Sequence, residues 1–176
     1  MHNLPSSWTL RRAGPADLAA YGELCRATFT ATFRAFHDAD SMARHVAWAF
    51  NDDRLGADMT DAARTVIVAT AGDDLIGYVL LRAGDAPPAV RAARPVEIGR
   101  FYVASPWHGR GVADALMDAA IAEARHRGAD VAWLAAWEQN PRALRFYARR
   151  GFAVVGNATY LFDGQTEHDY LHTLTL

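Results

Sequence analysis

The hydrophobic positions of the chain change period along its length, and each change marks a predicted element. Trp8 to Ala13 (WTLRRA) alternates as a first strand. Gly14-Pro15-Ala16-Asp17 then starts a helix, with proline pre-set for the first helical position and an acid in the first turn. Leu18, Tyr21, Leu24, Cys25 and Thr28 share one face of this helix, which is predicted to run to about Phe29. The aromatic stretch Thr30 to Phe36 follows, and then a second helix from Asp38 to Phe50 with Met42, Val46 and Ala49 or Phe50 on its apolar side. Asn51 to Ala63 is polar and acidic, a connection with room for a short helix. Thr65 to Ala71 and Leu75 to Arg82 flank Gly72-Asp73-Asp74 as an antiparallel hairpin. Gly84 to Pro95 is a proline-rich loop.

Val96 to Gly128 organises the rest. Its first residues, V-E-I-G-R-F-Y-V, are the β-branched and aromatic types that suit a pleated surface. Ser105-Pro106 breaks this strand, because proline lacks an N–H and keeps the preceding residue out of the helical region. The small, flexible run His108-Gly109-Arg110-Gly111-Val112-Ala113 leads into an alanine-rich helix. Asp114, Asp118 and Arg125 mark its polar face and Leu116, Ala120 and Ala124 an apolar one, and Gly128 ends it.

Asp130 to Trp137 (DVAWLAAW) has the low polarity of a buried parallel strand. Asn140-Pro141 starts a last helix that stops at Gly151. Ala153 to Val155 is a short extended piece, and Thr159 to Phe162 and Glu167 to Leu176 close the chain as strands around Asp163-Gly164. The order β, α, α, β, β, β, α, β, α, β, β implies an α/β (mixed α+β) fold. It is a mixed, mostly antiparallel sheet of about seven strands with about four helices and one parallel β-α-β crossover. With no repeat, low-complexity tract or linker, residues 1–176 read as a single domain.

A strand that feeds a glycine-bearing turn into a helix N-terminus aims backbone N–H groups at one point, and that point attracts phosphate. Three readings compete. A Walker loop needs a Gly-Lys-Ser/Thr end that is absent here. A dinucleotide fingerprint would put Asp114 where a small residue is needed, and Asp130 precedes the next strand instead of closing it. The third reading is a turn whose glycines serve geometry alone.

Composition narrows the function classes. With 51% hydrophobic and 22% charged residues the chain is globular, and a net charge of −2 argues against nucleic-acid binding through a broad basic surface. The single cysteine, Cys25, lies in a helical pattern and reads as a buried structural thiol. No apolar run approaches the ~18 residues of a membrane span, and the N-terminus lacks a signal peptide's order, so a cytoplasmic protein without membrane partners is expected. The histidines show no metal-ligand spacing, and no metal is expected.

The last helix adds a second constellation. Asn140, Pro141 and Gly151 have full structural explanations as cap, first residue and stop. Phe146-Tyr147 is more informative, since helix neighbours diverge by roughly 100°. One ring can anchor the core while a tyrosine O–H is left to serve a leaving group.

Together the two stretches resemble the GCN5-related N-acetyltransferases. The family's Gln/Arg-x-x-Gly-x-Gly/Ala is matched by His108-Gly109-Arg110-Gly111-Val112-Ala113, with His108 departing from the usual residue. Its Asn-x-x-Ala-x-x-Phe-Tyr and following Gly-Phe are matched by Asn140, Ala143, Phe146, Tyr147, Gly151 and Phe152. Within the family the chain looks most like the PaiA-type spermidine/spermine acetyltransferases, through Ala27-Thr28-Phe29, Glu97-Ile98-x-Arg100-x-Tyr102, Trp133-Leu134-x-x-Trp137-Glu138-x-Asn140 and the tail from Tyr160. Gly99 stands where that group has a glutamate.

The resemblance implies the family's fold and acyl transfer from acetyl-CoA to a primary amine by direct attack. It places pantetheine along Phe101, Tyr102 and Val103, the pyrophosphate at His108 to Ala113, and further cofactor contacts at Asn140, Ala143 and Tyr147. It makes Tyr147 the group that protonates the departing thiolate and Glu97 the base, through water. An alkyl ammonium with a pKa of about 10.4 is neutral about once in two thousand at pH 7, so such a base offsets roughly 4 to 5 kcal/mol. For a polyamine, Glu97, Glu138, Asp38 and Asp40 are the candidate carboxylates, with Phe33, Trp48, Trp137 and Tyr160 for its aliphatic stem. Dimers are common in the family. A peptide N-terminus, a lysine or an aminoglycoside as acceptor, a non-catalytic acyl-CoA-binding module, and a purely interacting α/β protein are the alternatives.

Overall fold

The computed structural model describes residues 7–176. Seven strands hydrogen-bond in the order β1-β2-β3-β4-β5-β7-β6, antiparallel except for the parallel pair of β4 (Pro95–Val103) with β5 (Val131–Trp137). That pair is the predicted crossover, and the helix between its strands, α4, spans Val112–His126. The mixed α/β architecture is therefore the one expected.

The chain divides into two compact units. One holds the residues up to Leu80 with Arg100–Ala120, the other Leu81–Gly99 with Ile121–Leu176.

In the first unit β1 (Thr9–Arg12) pairs antiparallel with β2 (Arg64–Ala71), and β2 is followed by β3 (Asp74–Ala83), which reaches into the second unit. Helix α1 spans Leu18–Phe33, four residues beyond the predicted end. The threonines do not break it, because Thr28 and Thr32 turn their hydroxyls back onto the carbonyls of Leu24 (2.7 Å) and Thr28 (2.8 Å). Asp38 caps α2 (Ala39–Ala49) by accepting from the Ser41 amide at 2.9 Å. The acidic connection contains α3 (Asp52–Thr60), capped by Asn51. Tyr21, Cys25, Leu55, Val68, Tyr78, Val79 and Leu116 form the interior of this unit.

In the second unit β5 pairs with β7 (Gln165–Thr175), and β7 with β6 (Ala153–Phe162). The sequence splits β6 into two short pieces. The structure keeps one strand of ten residues, in which a register shift between Val154 and Gly156 leaves Val155 as the extra residue of a bulge. A two-residue turn joins β6 to β7, with Asp163 and Gly164 both at positive φ (44° and 84°), as a primed hairpin turn requires. Helix α5 spans Pro141–Arg149, and Val90, Val131, Trp133 and Leu171 form one core cluster.

Candidate active site

The first unit holds one continuous strand–turn–helix. Strand β3 comes close to the end of β4 because residue 77 is glycine. A Cβ there would meet the Tyr102 carbonyl oxygen and Leu116 Cδ1 at 3.1 Å, and Val103 Cγ2 at 3.3 Å. The Tyr102 ring stacks on Tyr78 at 5.7 Å, and the Ala104 amide donates to the Ile76 carbonyl at 2.8 Å. The backbone of Phe101, Tyr102 and Val103 is thus set by packing on β3.

A single 3-10 turn (Ser105–Trp107) follows and buries Trp107. The Arg110 guanidinium lies over the Trp107 ring, 5.5 Å from its centroid. His108 Nε2–H donates to the Val103 carbonyl at 2.8 Å, tying the turn back to the strand it leaves. Gly109 and Gly111 take φ of +74° and +80°, the left-handed region that side chains avoid. No atom lies within 4 Å of a Cβ built on Gly109, and only Trp8 Cζ2, at 4.0 Å, approaches one on Gly111. These glycines therefore serve the turn without crowding, and the space around them stays open. The Gly111 carbonyl accepts the first helical bond, from Ala115 at 3.1 Å. Val112 and Ala113 thus belong to the first turn of α4, whose amides have no carbonyl one turn back and carry the positive end of the helix dipole. Val112, Leu116 and Met117 anchor that turn in the core with no exposure.

Cys25 has its expected place in this unit. It is fully buried, and burial pushes its thiol up to about 11. Such a thiol is no nucleophile at neutral pH.

The second unit holds the remaining candidates. Glu97 lies on β4 in register with Trp133 of β5. Its Oε2 accepts from Arg82 Nη1 at 3.4 Å, and both side chains are partly exposed, at 26% and 32%. The Arg82 guanidinium covers Gly99, where a Cβ would stand 2.7 Å from Nη1 and 2.9 Å from Cζ. Asn140 caps α5, its Oδ1 accepting from the Ala143 amide at 3.1 Å. Its Nδ2 donates no hydrogen bond among the described residues, so the cap leaves a donor available.

Tyr147 is buried among Phe146, Phe152 and His172, with ring centroids 5.6, 5.9 and 5.8 Å away. Burial alone pushes its phenol above the ordinary range, so the group stays protonated and can donate. His172 is equally buried, and burial lowers its pKa and holds the ring neutral.

Two features escape the sequence reading. Glu167 and Asp169 sit two apart on β7, a one-face pattern that is legible in principle. Asp169 pairs with Trp137 in register, the Glu138 amide donates to the His168 carbonyl at 3.0 Å, and the Trp137 Nε1–H donates to Glu167 at 2.9 Å. Burial, with the charges of Glu167 and Glu138, pushes the Asp169 carboxyl up to about 6. The other feature, Arg82, carries no local signal, because only strand pairing brings it to Glu97.

The Acetyltransferase (GNAT) family model matches residues 24–152, more than half of the chain and inclusive of both motifs. The chain belongs to this family. It is therefore an acyltransferase, of the N-acetyltransferase type. An uncharacterized N-acetyltransferase of Mycobacterium tuberculosis is 35% identical over 118 residues, covering 67% of this chain and 71% of that one. Among solved structures, the PaiA N-acetyltransferase of Thermoplasma acidophilum in complex with coenzyme A has a TM-score of 0.76 at 17% identity, covering 97% of this chain and 99% of that one. Arabidopsis thaliana NAA60 in complex with acetyl-CoA has a TM-score of 0.75 at 17% identity, again covering 97% and 99%. At these identities the likeness is one of fold. Among the described residues, no group of three or more His, Cys, Asp or Glu could hold a metal, and no helix is long and apolar enough to cross a membrane.

Proposed function

We propose that this GNAT acetyltransferase moves the acetyl group of acetyl-CoA to a primary amine by direct attack on the thioester. The observation that carries the reading is the turn between β4 and α4. Two uncrowded left-handed glycines deliver backbone amides to the positive end of a 15-residue helix. That geometry fits a pyrophosphate, and the donors are the amides of Gly109, Arg110, Gly111, Val112 and Ala113, beside His108. The backbone of Phe101, Tyr102 and Val103 takes the pantetheine, and Asn140 Nδ2, at the cap beside Ala143, offers it a further donor.

In the proposed reaction the amine nitrogen bonds to the carbonyl carbon as the C–S bond breaks. Glu97 takes the ammonium proton, through water, and frees the lone pair. Tyr147 donates its O–H toward the departing sulfur. A phenol raised by burial is a weaker acid than a thiol of about 8.5, so this donation acts chiefly as a hydrogen bond that strengthens as charge builds on sulfur. The net products are an amide, the thiol and one proton released to water.

A polyamine such as spermidine or spermine is the acceptor that the charges favour. The support is the group Glu138, Glu167 and Asp169, whose mutual repulsion a bound polycation would relieve. Asp38 also caps α2, with its Oδ1 accepting from the Ser41 amide. The reading assigns the reaction to the cytoplasm, and light scattering tests the homodimer suggested by the family.

The test is CoA thiol release from acetyl-CoA with spermidine, spermine, amino acids, aminoglycosides and peptides. Tyr147→Phe is expected to lower kcat by about 10² or more, with CoA affinity retained. Turnover only with other amines would discard the polyamine. CoA binding without turnover by any of them would point to a binding module, and absence of CoA binding would overturn the whole reading.

A further inference from the structure

We infer that Arg82 is a positioning residue of the reaction, holding the Glu97 carboxylate in one orientation for proton transfer. The inference rests on the reading of Glu97 as the base. Among the described residues Arg82 and Glu97 form an isolated pair. The one hydrogen bond of either side chain is the 3.4 Å contact from Arg82 Nη1 to Glu97 Oε2. Oε2 is thus occupied and Oε1 accepts nothing, which leaves one defined oxygen for a water or an ammonium proton. A fork-on-fork clamp would consume both oxygens. A carboxylate on a flexible two-carbon stem, left to itself on a strand surface, would sample several rotamers.

Gly99 is what lets the guanidinium sit there. Residues 97 and 99 project to the same side of β4, and a Cβ on residue 99 would come within 2.7 Å of Arg82 Nη1, closer than such atoms approach. The obstructing atoms are the far end of a flexible side chain, so a methyl group at 99 displaces Arg82 and leaves the strand in place. The exchange of glutamate for glycine at this position relative to the PaiA-type pattern thereby acquires a physical role. It opens the seat from which Arg82 reaches Glu97.

The experiment is a double-mutant cycle in the full-length enzyme, read as kcat and KM with the best amine of the panel. Glu97→Gln alone is expected to lower kcat by about 10² or more. Arg82→Gln alone is expected to lower it on the order of tenfold, with KM for acetyl-CoA held within about twofold. In the Glu97→Gln background, Arg82→Gln is expected to change kcat by less than about twofold, because its effect passes through the carboxylate. Gly99→Ala should reproduce the Arg82→Gln phenotype with the arginine still present, and Arg82→Lys should recover part of the rate. Equal effects of Arg82→Gln with and without Glu97 would overturn the inference alone, as would an effect confined to the KM of the amine. Unchanged kcat in Glu97→Gln would remove the base, and the inference with it.

Discussion

Strand β4 carries one member of each of two ion pairs, and the two pairs are built in opposite ways. In the first unit Arg100 reaches Asp58, whose side chain has no exposure. Asp58 also accepts from Arg64 at 2.9 Å and from the Tyr21 hydroxyl at 3.2 Å. Arg100 in turn donates to the Ala49 carbonyl at 3.3 Å and lies over the Phe50 ring. In the second unit Glu97 has one long contact to Arg82 and about a quarter of its side chain in solvent. A saturated, buried carboxylate has no oxygen left for chemistry and locks elements together. A partly exposed carboxylate with one oxygen engaged adds little to folding and keeps the other oxygen for a proton. The difference separates the structural acid from the proposed base better than residue type or position on the strand.

The sharpest way to break the comparison is to empty the buried site. Asp58→Ala leaves the Arg100 and Arg64 guanidiniums without their shared acceptor, and Arg100 is only 14% exposed. Unfolding free energy is expected to fall by about 3 to 5 kcal/mol, read from urea midpoints. A loss below about 1 kcal/mol would show that water replaces Asp58 without penalty, and burial would then not be what distinguishes the pairs.

How much of this was legible in the sequence depends on how local the cause is. The turn of Gly109 and Gly111, the cap at Asn140, and the Asp163-Gly164 hairpin follow from backbone requirements within a few residues, and each stands where expected. Helix α1 runs past its predicted end because threonine hydroxyls can bond within the helix, which propensity alone does not register. Strand β6 reads as two pieces because Gly156 and Asn157 are weak strand formers, whereas the register with β7 carries the chain through the bulge. The Asp58 network joins α1, α3, β2 and β4, and Arg82 meets Glu97 across two strands. Neither has a sequence spacing to betray it, since both depend on pairing set by the whole sheet.

The acidic group on β7 offers a third case for the comparison, in which the neighbours repel. Asp169 titrates near 6 because of burial and the charges of Glu167 and Glu138. A carboxyl raised in the folded state contributes its stability below the unfolded value of about 4, and that contribution is lost as pH rises through 6. Asp169→Asn is therefore expected to raise stability at pH 7, by about 1 kcal/mol once solvent screening is allowed for, and to change little near pH 4. The same carboxyl is neutral below pH 6, so KM for spermidine in the parent enzyme should climb as pH falls through that value. Stability that rises at pH 7 together with a weaker spermidine KM would mark the group as a cation seat. A higher stability with unchanged KM would leave only the repulsion.

The smallest expected effect is the most discriminating. Glu97→Gln keeps the shape of the side chain and the amide oxygen can still accept from Arg82, so only the charge of the pair is lost. Partly exposed single-contact pairs contribute between zero and about 1 kcal/mol, so the urea midpoint should correspond to a change within about 0.5 kcal/mol. The variant should thus be as stable as its parent while its turnover collapses. A stability loss above about 1.5 kcal/mol would place Glu97 with Asp58 among the acids that hold the fold together, and the low activity of the variant would then report unfolding. Equal stability with lost turnover can arise only if the carboxylate is kept for something other than folding, and a single long contact to Arg82 is how this sheet keeps it.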